Sequence, residues 1–352
     1  VVGPDGQLPL PWLAPVLRQT LATQRAHALL LHGPQGVGQF ELAVTLAQAW
    51  LCEAADAGKR PCGVCASCRL VHAHSHPDMM VLLPEALQEP LGWARGEEDG
   101  APERAGKGKA PSKEIKVDAV RAAIEFAQIT SARGRAKVVV LHPAERINGV
   151  SANALLKVLE EPPGNARFVL SCAAPDALLP TIRSRCQSVP MALPPIDVAV
   201  AWLAGQGVAD AALLLAATGG QPQEALEWTK QGIDAALWLR LPALVAQGMS
   251  APLGGWPLAR VVDALQKLCH DAACIAAGAA PRYFPAGSIR AGAQPGALAA
   301  WMRELNRVAR HAEHPWSAAL MLESLVQQGQ RALAADANPG SAKQGSSVHS
   351  RA

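Results

Sequence analysis

Three short runs of aliphatic and β-branched residues stand out from the first half of the chain: 26–32 (AHALLLH), 137–142 (KVVVLH) and 166–173 (ARFVLSCA). Each is short for a helix and is followed by turn chemistry or a helical pattern, which predicts parallel strands joined by crossover helices. The period then changes. VDAVRAAIEFAQI sets Val117, Val120, Ile124 and Ala127 on one face of a helix, and SANALLKVLEEPP reads as a second amphipathic helix ended by Pro162 and Pro163. Beyond ALPP at 192–195 the strand signals fade, and the pattern stays helical to about residue 335, with loops at 249–257 and 279–296. Two stretches carry no period. Residues from about 85 to 113 mix Gly, Pro and both charges and read as a disordered insertion, and 336–352 read as a disordered polar tail. The outline is an α/β domain over 1–193, a small helical domain over 194–233 and a larger one over 234–335.

Composition narrows the class. Half of the 352 residues are hydrophobic and 17% are charged, which suits a soluble, helix-rich protein. A net charge of +3 is too small to argue for nucleic-acid binding by itself. No run approaches the ~18 apolar residues of a membrane span, and the opening VVGPDGQLPLPW lacks the basic-then-apolar layout of a secretory leader. The expected location is cytoplasmic and reducing, so the eight cysteines are read as thiols and not as bridges.

The stretch LLLHGPQGVGQFE, from Leu29 to Glu41, has the outline of a phosphate-binding loop: strand, glycine-rich turn, helix. Gly33, Gly36 and Gly38 keep the turn. The next two places, where such a loop carries the phosphate-reaching Lys and the Mg²⁺-holding Ser or Thr, are Gln39 and Phe40. The acidic pair that completes the site belongs at the end of a later strand, where this chain has His142 and Pro143, with Glu145 farther on. Charge neutralisation is most of phosphoryl-transfer catalysis, so the loop reads as a disarmed nucleotide site or as a plain strand-to-helix turn.

Cys52, Cys62, Cys65 and Cys68 are spaced C-x9-C-x2-C-x2-C. Four thiolates at this spacing suit a tetrahedral Zn²⁺ site that is closed to water and therefore structural. His72, His74 and His76 follow closely as rival ligands. Cys172, Cys186, Cys269 and Cys274 show no clustering and read as small hydrophobes. Arg183 and Arg185 in IRSRCQ are either surface cations or a donor to a neighbour's nucleotide.

Together these segments resemble the clamp-loader branch of the AAA+ family. The carriers are GPQGVGQFE, the four-cysteine cluster, SANALLKVLEEPPGNARFVLSCAAPDALLPTIRSRCQ and the late HPWSAALMLESLV. The likeness covers nearly the whole chain except the insertion and the tail. It implies an AAA+ P-loop type parallel-sheet domain, a small helical lid and an all-helical C-terminal collar. In that branch the hydrolysing subunits keep the Lys, the Thr and the Asp-Glu pair that are missing here, and tend to carry Arg where GGQPQEAL has Gln223. The resemblance therefore implies a non-hydrolysing subunit of the bacterial DNA polymerase III clamp loader, with no ATP bound or hydrolysed and no enzyme activity in the isolated chain. It implies that Arg185 acts as an arginine finger in trans and that Cys52, Cys62, Cys65 and Cys68 hold structural zinc. Its partners would be the ATPase subunits and the delta subunit in a hetero-pentamer, with the sliding clamp and primed DNA engaged through the assembly. The rival readings are an active ATPase motor of the same complex and a zinc-dependent nucleic-acid-binding module.

Overall fold

The computed structural model describes residues 1–94, 111–311 and 317–334. The middle of the expected insertion and the expected tail lie outside these residues. The described residues pack as two units, one of 1–206 with 221–224, the other of 207–220 with those from 225 onward.

In the first unit, α1 (Leu13–Thr23) leads into β1 (Ala28–His32) and α2 (Gln39–Leu51). Then come α3 (Ala66–His72), β2 (Met79–Leu82), α4 (Glu85–Gln88), α5 (Val117–Gln128) and β3 (Lys137–Leu141). The unit continues with α6 (Gly149–Glu160), β4 (Ala166–Cys172), α7 (Pro180–Arg183), β5 (Gln187–Pro190) and α8 (Ile196–Gly205). The five strands form one sheet in the order β2-β3-β4-β1-β5, and every pairing is parallel. The expected parallel α/β sheet is therefore present. Side chains alternate between its faces. Leu29, Leu31, Val138, Val140 and Val169 pack with α1 and α2, while Leu30, Val139, Leu141, Phe168 and Leu170 pack with α5 and α6. Burial on both faces is what turns these strands into continuous apolar runs. The two edge strands are four residues each and escape the sequence pattern; β5 even ends on Pro190, which an edge tolerates.

The two ends of the expected insertion are tied together. Ser112 donates its backbone N–H to Glu85 Oε2 (3.0 Å), Ala86 donates to the Ser112 carbonyl (3.1 Å), and Lys116 pairs with Glu85. Deeper in, Asp78 at the head of β2 is fully buried. Its carboxylate accepts N–H groups from Ala132 (2.7 Å) and Arg133 (2.9 Å), and the Lys137 ammonium lies 3.1 Å away. One side chain thus anchors the α5–β3 connection to the neighbouring strand.

The second unit holds α9 (Ala211–Ala217), most of α10 (Pro222–Lys230), α11 (Ala235–Ala246), α12 (Leu258–Ala276), α13 (Pro295–Arg310) and α14 (Ala318–Leu333). Trp238 stacks on Phe284 with ring centroids 4.5 Å apart and meets Trp228 at 5.0 Å. Trp301 donates its indole N–H to the Leu325 carbonyl (3.1 Å). Gly329 lets α14 approach here, because a Cβ at that place would come within 2.5 Å of the Trp301 ring and 2.7 Å of Val245. Among the described residues no helix is long and apolar enough to cross a membrane.

Burial pushes the Asp78 carboxyl up, but the two N–H groups and Lys137 outweigh it and hold it below the usual carboxylate range. A carboxyl lowered on folding stabilises above its unfolded value of about 4 and loses that contribution as the pH falls through the folded value. Asp78→Ala should cost about 3–5 kcal/mol at neutral pH, because it leaves the buried Lys137 without a counter-charge, with the Pro77 carbonyl (3.1 Å) still accepting from it. Urea unfolding reads this directly, and the gap between variant and parent should close in acid below pH 4.

Candidate functional site

The glycine loop follows β1 at the carboxyl edge of the sheet, and its conformation is explained from within. Gly38 has φ +97° and caps α2, and a Cβ on it would lie 2.5 Å from Leu10 Cδ1. A Cβ on Gly33 would lie 2.2 Å from the Met191 carbonyl oxygen, just past β5. Gln39 is buried and turns back into the loop, donating Nε2–H to the carbonyls of Gly33 (2.9 Å) and Pro34 (2.6 Å). Trp12 holds the far side through Nε1–H to the Val37 carbonyl (2.8 Å).

Phe40 is also buried. Its ring lies 5.1 Å from that of His142 and 6.3 Å, edge on, from Trp93. His142 follows β3 directly and shares a 2.9 Å hydrogen bond between Nδ1 and Ser171 Oγ on β4. Burial pushes its imidazole down to about 4, against the Ser171 contact, so it is neutral at neutral pH. Glu145 instead accepts the Ala173 N–H (2.9 Å) through Oε1 at the end of β4. Gln223 donates Nε2–H to Glu41 (2.6 Å) at the start of α2. The places that hold a cation, a hydroxyl and a carboxylate in a working nucleotide site therefore hold an amide bonded to its own loop and two packed rings. This set offers a phosphate no side-chain charge from those places, and its single oxygen is the Gln39 amide carbonyl, where a working site has a hydroxyl and a carboxylate for the metal ion.

The four cysteines come together. All four Sγ atoms lie within 4.8 Å of one another, with Cys62–Cys68 at 4.0 Å and Cys52–Cys65 at 3.9 Å. A tetrahedron with metal–sulfur bonds of ~2.3 Å has edges of about 3.8 Å, so this donor set fits a Zn²⁺-sized ion. Backbone N–H groups converge on the sulfurs: Cys62 donates to Cys52 (3.4 Å), Cys65 to Cys62 (3.4 Å) and Cys68 to Cys65 (3.4 Å). Burial pushes the Cys62 thiol up, but the N–H groups of Cys65 and Val64 and the neighbouring thiols bring it down to about 6.

Each rival histidine is engaged elsewhere. His72 meets the Val2 carbonyl (2.9 Å), His74 stacks on Trp93 at 3.9 Å, and His76 Nε2 meets Ser67 Oγ (3.1 Å). Around the cluster, Arg133 Nε donates to Glu53 Oε1 (2.8 Å) and to Ser67 Oγ (3.1 Å), and this contact holds the Glu53 carboxyl below its usual range.

Arg185 lies in the short turn after α7. Nε donates to Glu160 Oε1 (2.6 Å), Nη1 donates to the Thr181 carbonyl (3.0 Å) and Ser184 Oγ (3.3 Å), and Nη2 also pairs with Glu160. Arg183 points to Asp176 instead (2.6 Å). Cys172 and Cys269 are buried, as small hydrophobes are, whereas Cys186 and Cys274 are only half-buried. Cys274 lies near His270 and Asp271, a grouping that the sequence did not flag. Asp271 is already committed there, accepting the N–H groups of Arg282, Tyr283 and Phe284 at 2.7–2.9 Å.

A family model described as "DNA polymerase III, delta subunit" matches residues 12–195. The Pseudomonas aeruginosa protein named DNA polymerase III subunit delta' is 38% identical over 214 residues, covering 60% of this chain and 58% of that protein. The Escherichia coli protein of the same name is 35% identical over 254 residues, covering 70% of this chain and 67% of that protein. The matched part thus spans between half and two thirds of several such relatives. Among solved structures, a DNA polymerase III gamma-subunit-related protein from Thermotoga maritima aligns over 91% of this chain and 99% of its own, at 16% identity and a TM-score of 0.45.

The neutral His142 has a measurable signature. A histidine lowered from about 6.5 to about 4 on folding leaves stability whole above the unfolded value and erodes it as the pH falls toward the folded one. Between pH 7 and pH 5 the erosion should be about 2 kcal/mol, at 1.36 kcal/mol per unit. His142→Phe should flatten that part of the urea-midpoint curve; an undiminished slope would mean that another group titrates there.

Proposed function

Since the chain belongs to the DNA polymerase III delta-subunit family, matched over residues 12–195, we propose that it is a non-hydrolysing subunit of the DNA polymerase III clamp loader. In this reading the assembly uses ATP in other subunits to open a sliding clamp and place it on primed DNA. The observation that carries it is the triple replacement at one edge of the sheet: Gln39 bonded to its own loop, and Phe40 packed on a neutral His142. Each change removes a different component of nucleotide chemistry, so no single compensating group restores the site. The chain takes no ATP of its own and is no enzyme in isolation.

Residues 1–193 form the AAA+ domain of this reading, 194–233 the lid, and 234–335 the collar that joins ATPase subunits and a delta subunit in a hetero-pentamer. Arg185 is the chain's contribution to a neighbour's chemistry, an arginine finger acting in trans on a transferring phosphate. Its present acceptor is the Glu160 carboxylate, so engaging a phosphate means exchanging one anion for another. Cys52, Cys62, Cys65 and Cys68 hold zinc, which when bound supplies four metal–sulfur bonds closing the 52–68 segment. The place of action is the cytoplasm.

Three measurements test this. Calorimetric titration of ATP with Mg²⁺ into the isolated chain should give no saturable heat at millimolar nucleotide, and micromolar binding with turnover would make the chain a motor. Arg185→Ala should leave the fold intact and lower the ATPase rate of the assembled complex by tenfold or more, given that such arginines contribute ~10³–10⁵ in GTPases; an unchanged rate removes the finger. The purified chain should carry one zinc by elemental analysis and lose it in Cys62→Ser, with a lowered melting temperature.

A further inference from the structure

The opposite rim of the sheet, where strands begin, carries a feature that the loading function does not use. A cleft of about 300 Å³ opens beside the first residues of β1, β3 and β4, which are neighbours in the sheet. Arg25, His27, Arg135, Asn165 and Arg167 line it, and its lining contains no carboxylate. The walls are already fixed. Gln187 Oε1 accepts the N–H groups of Arg25 (3.2 Å) and Ala26 (3.3 Å), His27 Nε2 meets the Leu159 carbonyl (2.6 Å), and Ala166 donates to the Pro163 carbonyl (3.0 Å). These backbone groups are satisfied by Gln187, His27 and one another, and the positive charge of the cleft comes from its arginines.

Arg167 is the least satisfied of them. Its guanidinium lies 4.9 Å over the Trp50 ring, and its Nη1 is shut off from solvent with no hydrogen-bond acceptor. A buried charged donor without an acceptor is costly, and such a group in a folded protein commonly marks an ion or water partner. Three arginines line this one cleft, with no carboxylate in the lining to neutralise them. Their planar forks match tetrahedral phosphate oxygens.

We propose that this cleft is a phosphate-binding site, lined by Arg25, Arg135 and Arg167, that takes one or two linked phosphate groups. The phosphates come either from a free polyphosphate or from the backbone of a nucleic-acid strand. The site is separate from the glycine loop, which lies beyond the opposite ends of the same strands, and it does not depend on the loading function.

The test is calorimetric titration of pyrophosphate into the full chain at low salt. One saturable site is expected, weakened about tenfold or more by Arg25→Gln and again by Arg135→Gln, since each removes a charge-assisted hydrogen bond. Arg167 supports the Trp50 packing, so the two outer arginines carry the test. Gln39→Ala in the glycine loop should change nothing. An unphosphorylated single-stranded oligonucleotide that competes with the same arginine dependence identifies the strand backbone as the source; failure to compete identifies free polyphosphate. No saturable binding, binding indifferent to both arginine variants, binding lost in Gln39→Ala, or tighter binding of polyglutamate than of pyrophosphate would each overturn the assignment.

Discussion

Parallel strands cannot be joined by a tight hairpin, and the organisation of the first unit follows from that constraint. Every connection has to cross a face of the sheet, so both faces acquire helices and the strands between them become apolar throughout. The same geometry gathers all strand ends at one rim and all strand beginnings at the other. Gly33 after β1, His142 after β3 and Met191 after β5 come together for that reason, although they are widely separated in sequence. Arg25, Arg135 and Arg167 meet at the other rim for the same reason.

At the carboxyl rim, the fold keeps the shape of a nucleotide loop by means that need no nucleotide. A cradle of backbone N–H groups is ordinarily organised around an anion. Here Gln39 ties the turn from inside, Trp12 ties it from outside, and the steric fit of Gly33 and Gly38 against Met191 and Leu10 fixes the backbone. The aromatic pair replaces an electrostatic arrangement with a packed one. Buried neutral rings stabilise a protein where a lone buried charge would cost it.

The sequence carried the central sheet because β1, β3 and β4 are buried on both faces, which leaves an unmistakable apolar run. The edge strands β2 and β5 were not legible: four residues give no period, and Gln187, Ser188 and Pro190 look like a turn. The cysteine spacing announced its cluster because a knuckle is local in sequence, whereas the engagement of the histidines elsewhere, such as His74 on Trp93, rests on contacts that no spacing encodes. The missing Lys and hydroxyl were readable letter by letter. What fills their place was not, since the Phe40–His142 contact joins residues on different elements. The Arg185–Glu160 pair joins the turn after α7 to the end of α6, and the basic cleft draws on three separate stretches of the chain, so both emerge only from the folded chain.

The ring pair at the carboxyl rim also bears on which substitutions this chain can absorb. Lys at position 39 would remove the amide that ties the loop through the Gly33 and Pro34 carbonyls. A carboxylate at 142 would set a charge against the Phe40 ring in place of the neutral imidazole. Each of these substitutions taken singly gives up a contact of the present packing. A rim held by a loop-bound amide and by packed rings has its stability spread over several elements, so the effects of substitutions at 39, 40 and 142 are expected to couple and not to add.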